Sequence, residues 1–188
     1  MTLSSQLLGR LALICLAAGL LQIATVSQVT VLGVRADLTP LVVTSVGLLS
    51  GSVAGALVGF GLGLFVDVAL LQTLGISSLI LLSVGYGAGR LRELRDPAHA
   101  LTPVAVGAAG TAAAAIGFSL IQFLLGVNAP VSLLLIREIL ATIVLNAVLA
   151  LPVYAVIRRV LLPFLHGDPR RRRRRAYMTG GLSPISRP

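Results

Sequence analysis

The sequence contains few of the residues that soluble proteins place on their surface. Charged residues make up 11% of its 188 positions, lysine and tryptophan are absent, and cysteine occurs once. A soluble domain has about 25% charged residues, so this scarcity of charge excludes an ordinary soluble fold. The lone Cys15 excludes an intrachain disulfide. The composition is 56% hydrophobic with a mean hydropathy of +0.99, which indicates an integral membrane protein.

The residues that usually carry catalysis are also scarce. The two histidines, His99 and His166, fall in connections between or after the apolar runs, and no His/Cys group has the spacing of a metal site. An intramembrane aspartyl protease needs two apposed acids, and Asp67 has no second aspartate at bilayer depth. We therefore predict a protein that is not an enzyme and that binds no metal or cofactor.

Hydropathy predicts an all-α bundle of about six transmembrane helices, two of them short. A helix rises about 1.5 Å per residue, and the hydrocarbon core of a bilayer is about 30 Å thick. The block from Thr39 to Leu71 is too long for one span and is therefore divided into two. The predicted spans are Leu11–Val31, Thr39–Leu49, Val53–Leu71, Ile76–Gly89, Thr102–Leu125 and Ser132–Ile157.

The second and third spans are predicted to form a tight helical hairpin. Ser50-Gly51-Ser52 is the natural break between them. Thr39-Pro40 has the pattern of an N-cap followed by proline at the first helical position. The second helix is therefore expected to begin at this pair.

Arginine clusters set the predicted orientation. Three groups of arginines lie at the ends of predicted spans: Arg10, the Arg90–Arg95 segment, and Arg158 with the residues after it. Because positive residues prefer the cytoplasmic side, six spans with both termini in the cytoplasm accommodate all three clusters. We predict a membrane domain over residues 1–165 and a basic, disordered cytoplasmic tail over residues 166–188.

Four glycines recur at every fourth residue in the third span. Gly51, Gly55, Gly59 and Gly63 form a stripe along one side of a helix, here called the glycine stripe. Small residues at this spacing let a second helix backbone approach closely in a membrane. The sequence leaves two interpretations open: packing against another helix of this chain, or docking of a partner's transmembrane helix.

Asp67 continues the glycine stripe by one more step, near the predicted outer end of its span. An acid inside a membrane is costly and requires compensation. Arg137 lies at a similar depth in the sixth span, so we predict a buried ion pair between Asp67 and Arg137, with Arg35 as the substitute partner. A role in proton or ion coupling is the alternative.

A dense positive block follows the last span. It consists of Arg170, Arg171, Arg172, Arg173, Arg174 and Arg175. Each residue near an anionic surface gains about 1 kcal/mol, so we expect contact with anionic lipid headgroups. No aromatic residues are interleaved with the arginines, and nucleic acid is therefore not an expected partner.

Several short motifs between Asp37 and Arg90 resemble the rod shape-determining protein MreD family. They are Asp37-Leu38, Leu49-Ser50-Gly51, Gly55, Gly59-Phe60, Gly63-Leu64, Asp67, Leu74-Gly75 and Gly85-Tyr86-Gly87-Ala88-Gly89-Arg90. The resemblance implies a non-catalytic scaffold of the cell-elongation machinery in the bacterial cytoplasmic membrane. It also implies direct binding to the single-span protein MreC. MreB and the peptidoglycan synthases would be indirect partners.

Two other functions fit a small six-span protein. A substrate-binding subunit of an energy-coupling-factor vitamin transporter needs a pocket with convergent polar and aromatic groups. This chain has no tryptophan, and its three tyrosines lie at or beyond the cytoplasmic ends of spans. A small ion or proton channel would need more polar residues along its pore.

Overall fold

The structure is a computed structural model that describes residues 5–28, 30–31, 34–35, 37–94, 101–126 and 133–161. Within these residues the chain forms six helices and one two-stranded ribbon, which confirms the predicted helical class. The elements are α1 (Ser5–Gln28), β1 (Thr30–Val31), β2 (Val34–Arg35), α2 (Leu38–Ser50), α3 (Ser52–Ala69), α4 (Ile76–Leu94), α5 (Thr102–Leu124) and α6 (Leu133–Leu161).

Several helix boundaries differ from those that hydropathy predicts. The first helix ends at Gln28, and the chain then forms the antiparallel ribbon, with Thr30 opposite Arg35 and Val31 opposite Val34. The fourth helix is not short, because it continues past Gly89 through charged residues to Leu94. Arginine and glutamate have helix propensities close to that of leucine. A boundary drawn from hydropathy alone therefore ends this helix too early.

The N-cap of the second helix lies two residues earlier than predicted. Its N-cap is Asp37, not Thr39, and the Asp37 carboxylate accepts a hydrogen bond from the Thr39 N–H at 3.0 Å. Pro40 consequently lies in the third helical position, where its missing N–H still costs no intrahelical bond. The predicted hairpin break is confirmed, since α2 ends at Ser50 and α3 begins at Ser52.

Neighbouring helices alternate in direction. The contacts show that α1, α3 and α5 run one way and that α2, α4 and α6 run the other way. Antiparallel pairs are α3 with α4 (Ser52 with Gly89, Gly63 with Ser78), α4 with α5 (Val84 with Gly110, Ile80 with Gly117) and α5 with α6 (Gly107 with Ala150, Thr111 with Asn146). Helix α1 is parallel to α3 (Cys15 with Val58, Gly19 with Phe65), and α2 is antiparallel to α3 across their one-residue turn (Gly47 with Gly55).

The centre of the bundle is α2. Every residue from Thr39 to Leu49 is buried, and the helix contacts all five of the others. A helix that is apolar around its whole circumference lies either in a core or in lipid, and the contacts of α2 place it in the core. Its 13 residues rise only about 20 Å, so α2 is shorter than the hydrocarbon layer.

Length and composition identify three candidate membrane spans among the described helices. The helices α3 and α5 and the Ile139–Leu161 part of α6 are long and apolar enough to cross a membrane. The apolar stretches of α1 and α2 are shorter, Gly9–Ala24 and Leu38–Ser50. These findings support a membrane protein, and the exact number of crossings stays a prediction.

The first and last helices meet at one end of the bundle. Leu11 and Ile14 of α1 and Ile157 and Leu161 of α6 belong to the same buried cluster. The Arg10 guanidinium donates to the Val160 carbonyl oxygen at 3.2 Å, which satisfies a carbonyl that the end of α6 leaves open. The start of α1 is thereby fixed to the end of α6.

Candidate functional site

The glycine stripe packs against α4 over most of its length. A Cβ atom added at Gly55 would collide with the Gly85 carbonyl oxygen, one at Gly59 with the Leu81 carbonyl oxygen, and one at Gly63 with the Ser78 Cα at 2.5 Å. These are backbone atoms, which cannot move aside as a side chain can. The stripe therefore brings two helix backbones into contact within the chain.

Helix α4 contributes glycines of its own to this contact. Gly85 meets the Gly55 carbonyl oxygen, and Gly89 meets the Ser52 backbone. Gly47 of α2 approaches the Gly85 carbonyl oxygen, which would lie 2.7 Å from a Cβ atom at that position. The helices α2, α3 and α4 thus form one closely packed unit, in which small residues lie on each contributing surface.

Gly51 has a different role from the other stripe glycines. Its φ of +97° is in the left-handed region, and it links α2 to α3 as the only residue between them. Glycine adopts this conformation without the steric cost that other residues have. The first glycine of the stripe is therefore required for the turn, and a Cβ atom at this position would meet only the Glu93 carboxylate, at 3.4 Å.

Two charged residues at the end of α4 complete the α2–α3 turn. The Glu93 carboxylate accepts hydrogen bonds from the Ser52 N–H at 3.0 Å and from the Ser52 hydroxyl at 2.7 Å. The Arg92 guanidinium donates to the Leu49 carbonyl oxygen. A carboxylate at the start of α3 and a cation at the end of α2 also have the signs that the helix dipoles favour. We call Arg92 and Glu93 the end clamp.

Asp67 caps the opposite end of the α3–α4 pair. Its side chain is 0% exposed, and Oδ2 accepts a hydrogen bond from the Gly75 N–H at 2.8 Å, directly before the start of α4. Its other oxygen, Oδ1, is buried without a hydrogen-bond partner among the described residues. The nearby Ser78 hydroxyl is buried and unpartnered in the same sense.

The structure does not bring Asp67 and Arg137 together. Arg137 is exposed on α6, whereas Asp67 faces α4. The one salt bridge among the described side chains joins Arg90 and Glu93 at 3.3 Å. The predicted ion pair is therefore not formed here, and the side chain of the substitute partner Arg35 lies outside the described residues.

A cluster of four polar residues joins α1, α2, α5 and α6. Asn146 is 0% exposed and donates to the Asp37 carbonyl oxygen at 2.8 Å and to the Thr111 hydroxyl at 3.1 Å. The Gln22 amide donates to the Asp37 carboxylate at 3.2 Å and accepts from the Leu38 N–H at 3.0 Å. We call Gln22, Asp37, Thr111 and Asn146 the polar cluster.

Sequence reasoning missed the polar cluster as a unit. Gln22 and Asn146 are visible as amides inside apolar runs, which indicates interhelical hydrogen bonds. Nothing in the spacing of the sequence pairs them with Asp37, because their partners come from helices whose arrangement only the fold supplies. The same holds for the end clamp.

Two open apolar grooves run along the described bundle. One, of about 360 Å³, lies between α1 and α3 and includes Cys15, Gly61 and Phe65. The other, of about 390 Å³, lies between α4 and α5 and includes Gly87 and Ala113. A Cβ atom at Gly87 would meet nothing within 4 Å, so this glycine has no packing role in the chain alone.

The remaining predicted site residues fall outside this geometry. The tail from Arg170 to Arg175 lies beyond the described residues, as do His99 and His166. Within the described part of the chain, no three His, Cys, Asp or Glu residues are grouped as metal ligands. The polar groups that the structure does assemble connect helices and helix ends.

Most of the chain matches one known protein family. The family model of the rod shape-determining protein MreD matches residues 5–160, which is most of the chain. The chain belongs to the MreD family. The match extends from the start of α1 to the end of α6 and stops before the basic tail. Searches of curated proteins and of solved structures gave no match.

Membership in the MreD family assigns the chain to rod-shape determination. The family resemblance in the sequence, which covered mainly the residues of α2 to α4, is thereby confirmed. Those residues form the closely packed α2–α3–α4 unit with its end clamp and its Asp67 cap. The motifs that carry the resemblance in the sequence thus lie in the unit in which glycines bring helix backbones together.

Proposed function

We propose that this MreD-family chain is a non-catalytic scaffold of the cell-elongation machinery in the bacterial cytoplasmic membrane. It binds the single-span protein MreC directly and contacts MreB and the peptidoglycan synthases indirectly. The observation that carries the proposal is the family match over residues 5–160. The role of the family is rod-shape determination. An apolar helical bundle is suited to fulfil this role as a scaffold within the membrane.

The hydrogen bonds made by the acidic and amide side chains support a structural role. Asp67, Asp37 and Glu93 each accept hydrogen bonds from helix N-termini, and Asn146 joins two other helices. A reactive group needs a free approach for its substrate, and these side chains are engaged with the backbone or with one another. The arrangement stabilises a bundle whose outer surface remains available for partners.

We place the contact with MreC on the lipid-facing surface of the bundle and not on the glycine stripe. Gly55, Gly59 and Gly63 are buried against α4, so a partner helix has no access to them. The two open grooves offer small residues on the outside instead. Gly61 is exposed in one groove, and Gly87 is exposed in the other.

Co-purification tests the proposal. The tagged chain is co-expressed with MreC from the same organism, and the captured fraction is compared with that of an unrelated single-span protein of equal expression. We expect capture of MreC and not of the control protein. Gly61→Leu and Gly87→Leu each place a bulky side chain in one groove without disturbing the internal contacts, so loss of capture in one variant locates the interface.

Two outcomes argue against this function. Equal capture of MreC and of the control protein would remove the evidence for a specific scaffold contact. Vitamin bound in stoichiometric amount to the purified chain would favour the transporter-subunit alternative. Both outcomes are read from the same purified material.

We further propose six spans with both termini in the cytoplasm and a tail that contacts anionic lipid. The alternating helix directions support this orientation, because they bring Arg10, Arg90, Arg92, Arg158 and Arg159 to one end of the bundle. The positive-inside rule favours the cytoplasm for that end. Binding of residues 166–188 to vesicles with and without phosphatidylglycerol tests the contribution of Arg170–Arg175.

A further inference from the structure

The turn between α3 and α4 has an unusual combination of backbone and side chain. Leu71 has a φ of +52°, in the left-handed region that glycine adopts most readily. Its side chain is 93% exposed, and that of Leu74 is 64% exposed. A strained backbone position in a surface turn is ordinarily occupied by glycine or asparagine, so the leucine requires an explanation.

The backbone of this turn is largely satisfied from within. Asp67 supplies two of the acceptors, one from its main chain and one from its side chain. The bonds are Leu70 N to Val66 O at 2.9 Å, Leu71 N to Val68 O at 3.3 Å, Gln72 N to Asp67 O at 2.9 Å, and Gly75 N to Asp67 Oδ2 at 2.8 Å. Where lipid replaces water, backbone N–H groups require internal acceptors, and the N–H groups of Leu70, Leu71, Gln72 and Gly75 have them.

The lengths of the two helices place the turn short of the far membrane boundary. The end clamp and Arg90 hold the other end of α4 at a polar surface. From Arg90 to Ile76 the helix rises about 21 Å, and the whole of α3 rises about 27 Å. The hydrocarbon layer is about 30 Å thick. Tilting the helices shortens their reach along the membrane normal further.

We propose that the α3–α4 turn is submerged beneath the lipid headgroups, with Leu71 and Leu74 in contact with acyl chains. The occupant of this surface is the bilayer itself. Asp67 is the positioning residue, because its buried carboxylate accepts the Gly75 N–H that water would otherwise bind. The proposal depends on the membrane location of the bundle and not on any contact with MreC.

Depth measurements with a spin label test the proposal. Single cysteines are introduced as Leu71→Cys and Leu74→Cys in a Cys15→Ser background, and the labelled protein is reconstituted in phosphatidylcholine–phosphatidylglycerol vesicles. Leu94→Cys, exposed at the end-clamp side, is the matched control. We expect labels at 71 and 74 to collide preferentially with oxygen, and the label at 94 to collide preferentially with a water-soluble nickel chelate. The ratio of oxygen to nickel collision rates should therefore be severalfold higher at 71 and 74 than at 94.

Equal nickel accessibility at 71, 74 and 94 would overturn the proposal that the turn is submerged. The same result would follow if the bilayer thinned locally and exposed the turn to water, and it would overturn the proposal in that case too.

A second comparison tests Asp67. Asp67→Asn retains an acceptor for the Gly75 N–H, whereas Asp67→Leu does not. We expect Asp67→Leu alone to raise nickel accessibility at position 71 severalfold, with the label at 94 unchanged as evidence of an intact bundle. If Asp67→Leu leaves position 71 unchanged, Asp67 has no positioning role; if that variant does not fold, the depth of Leu71 in the native background still decides the proposal.

Discussion

At the scale of single residues, the charged and polar side chains act mainly on helix ends. Asp37 caps α2, Glu93 caps α3 from a neighbouring helix, and Asp67 caps the start of α4. Arg92 and Arg10 bind carbonyl oxygens at the ends of α2 and α6. Each helix leaves four N–H and four C=O groups without intrahelical partners, and in a chain with so few polar residues these groups take priority.

Glu93 gives stability a defined dependence on pH. Hydrogen bonds from Ser52 hold the pKa of Glu93 below its ordinary value. A lowered pKa means that the contribution is present above the unfolded value of about 4.3 and is lost as pH falls through the folded value. We expect the difference in unfolding temperature between native protein and Glu93→Gln to be present at pH 7 and to shrink as the pH falls below about 4.3. Parallel pH profiles of both proteins would contradict this.

Asn146 is predicted to stabilise the junction of α5, α6 and the start of α2. In Asn146→Ala the Asp37 carbonyl oxygen loses its donor and the Thr111 hydroxyl loses a partner in a buried site. A buried group left unsatisfied costs about 1–3 kcal/mol, and a corresponding drop in stability in detergent is expected. Gln122→Ala, which removes an exposed amide from α5, is the control and should be nearly neutral. Equal loss in both variants would refute the role of Asn146.

At the scale of elements, the α3–α4 contact illustrates what the sequence can and cannot specify. The glycine spacing and the break at Ser50-Gly51-Ser52 follow from local chemistry, so the hairpin and a close-packing face were predictable. The partner of that face was not, because every apolar helix is equally acceptable to a glycine stripe in lipid. Depth alone suggested Arg137 for Asp67, yet Asp67 faces α4 and caps its start.

Two glycines on the same helix provide a matched test of this contact. Gly59 faces the Leu81 carbonyl oxygen, whereas Gly61, two residues later, has only the Cys15 sulfur at 4.0 Å. Overpacking typically costs about 1–3 kcal/mol, and an obstructing backbone gives little relief. We expect Gly59→Ala to destabilise the bundle by at least this amount, and Gly61→Ala to change it by less than about 1 kcal/mol.

The measurement is the unfolding midpoint of both variants in the same detergent. Equal midpoints for Gly59→Ala and Gly61→Ala would mean that α3 and α4 separate readily. In that case the glycine stripe would become accessible to a partner, and its docking interpretation would regain support.

At the scale of the whole molecule, alternating helix directions and the position of the arginines are consistent with each other. Hydropathy and charge predicted the number of helices and their alternation, because both depend only on composition along the chain. The central position of α2 was not predictable from them. Its apolar character all round is compatible with a lipid-exposed span as well as with a core, and only the contacts distinguish these cases.

Topology reporters test the proposed orientation. A reporter enzyme active only outside the cytoplasm is inserted after Leu74, after Gly126 or after Leu94 in separate proteins. We expect activity from the first two sites and none from the third, since α4 and α6 run parallel and opposite to α5. A fluorescent protein that folds only in the cytoplasm should give the reverse pattern. Activity after Leu94 would rule out six spans with a cytoplasmic N-terminus.

The end clamp has a consequence for the biosynthesis of the chain. Glu93 lies 41 residues after Ser52, whose N–H and hydroxyl it binds. When the ribosome has completed α2 and α3, the turn between them still lacks its capping groups, and it stays incomplete until the end of α4 has been translated. The α2–α3–α4 unit therefore matures as one event late in its synthesis, and a chain truncated before Glu93 would present an unfinished hairpin to the cell's membrane proteases.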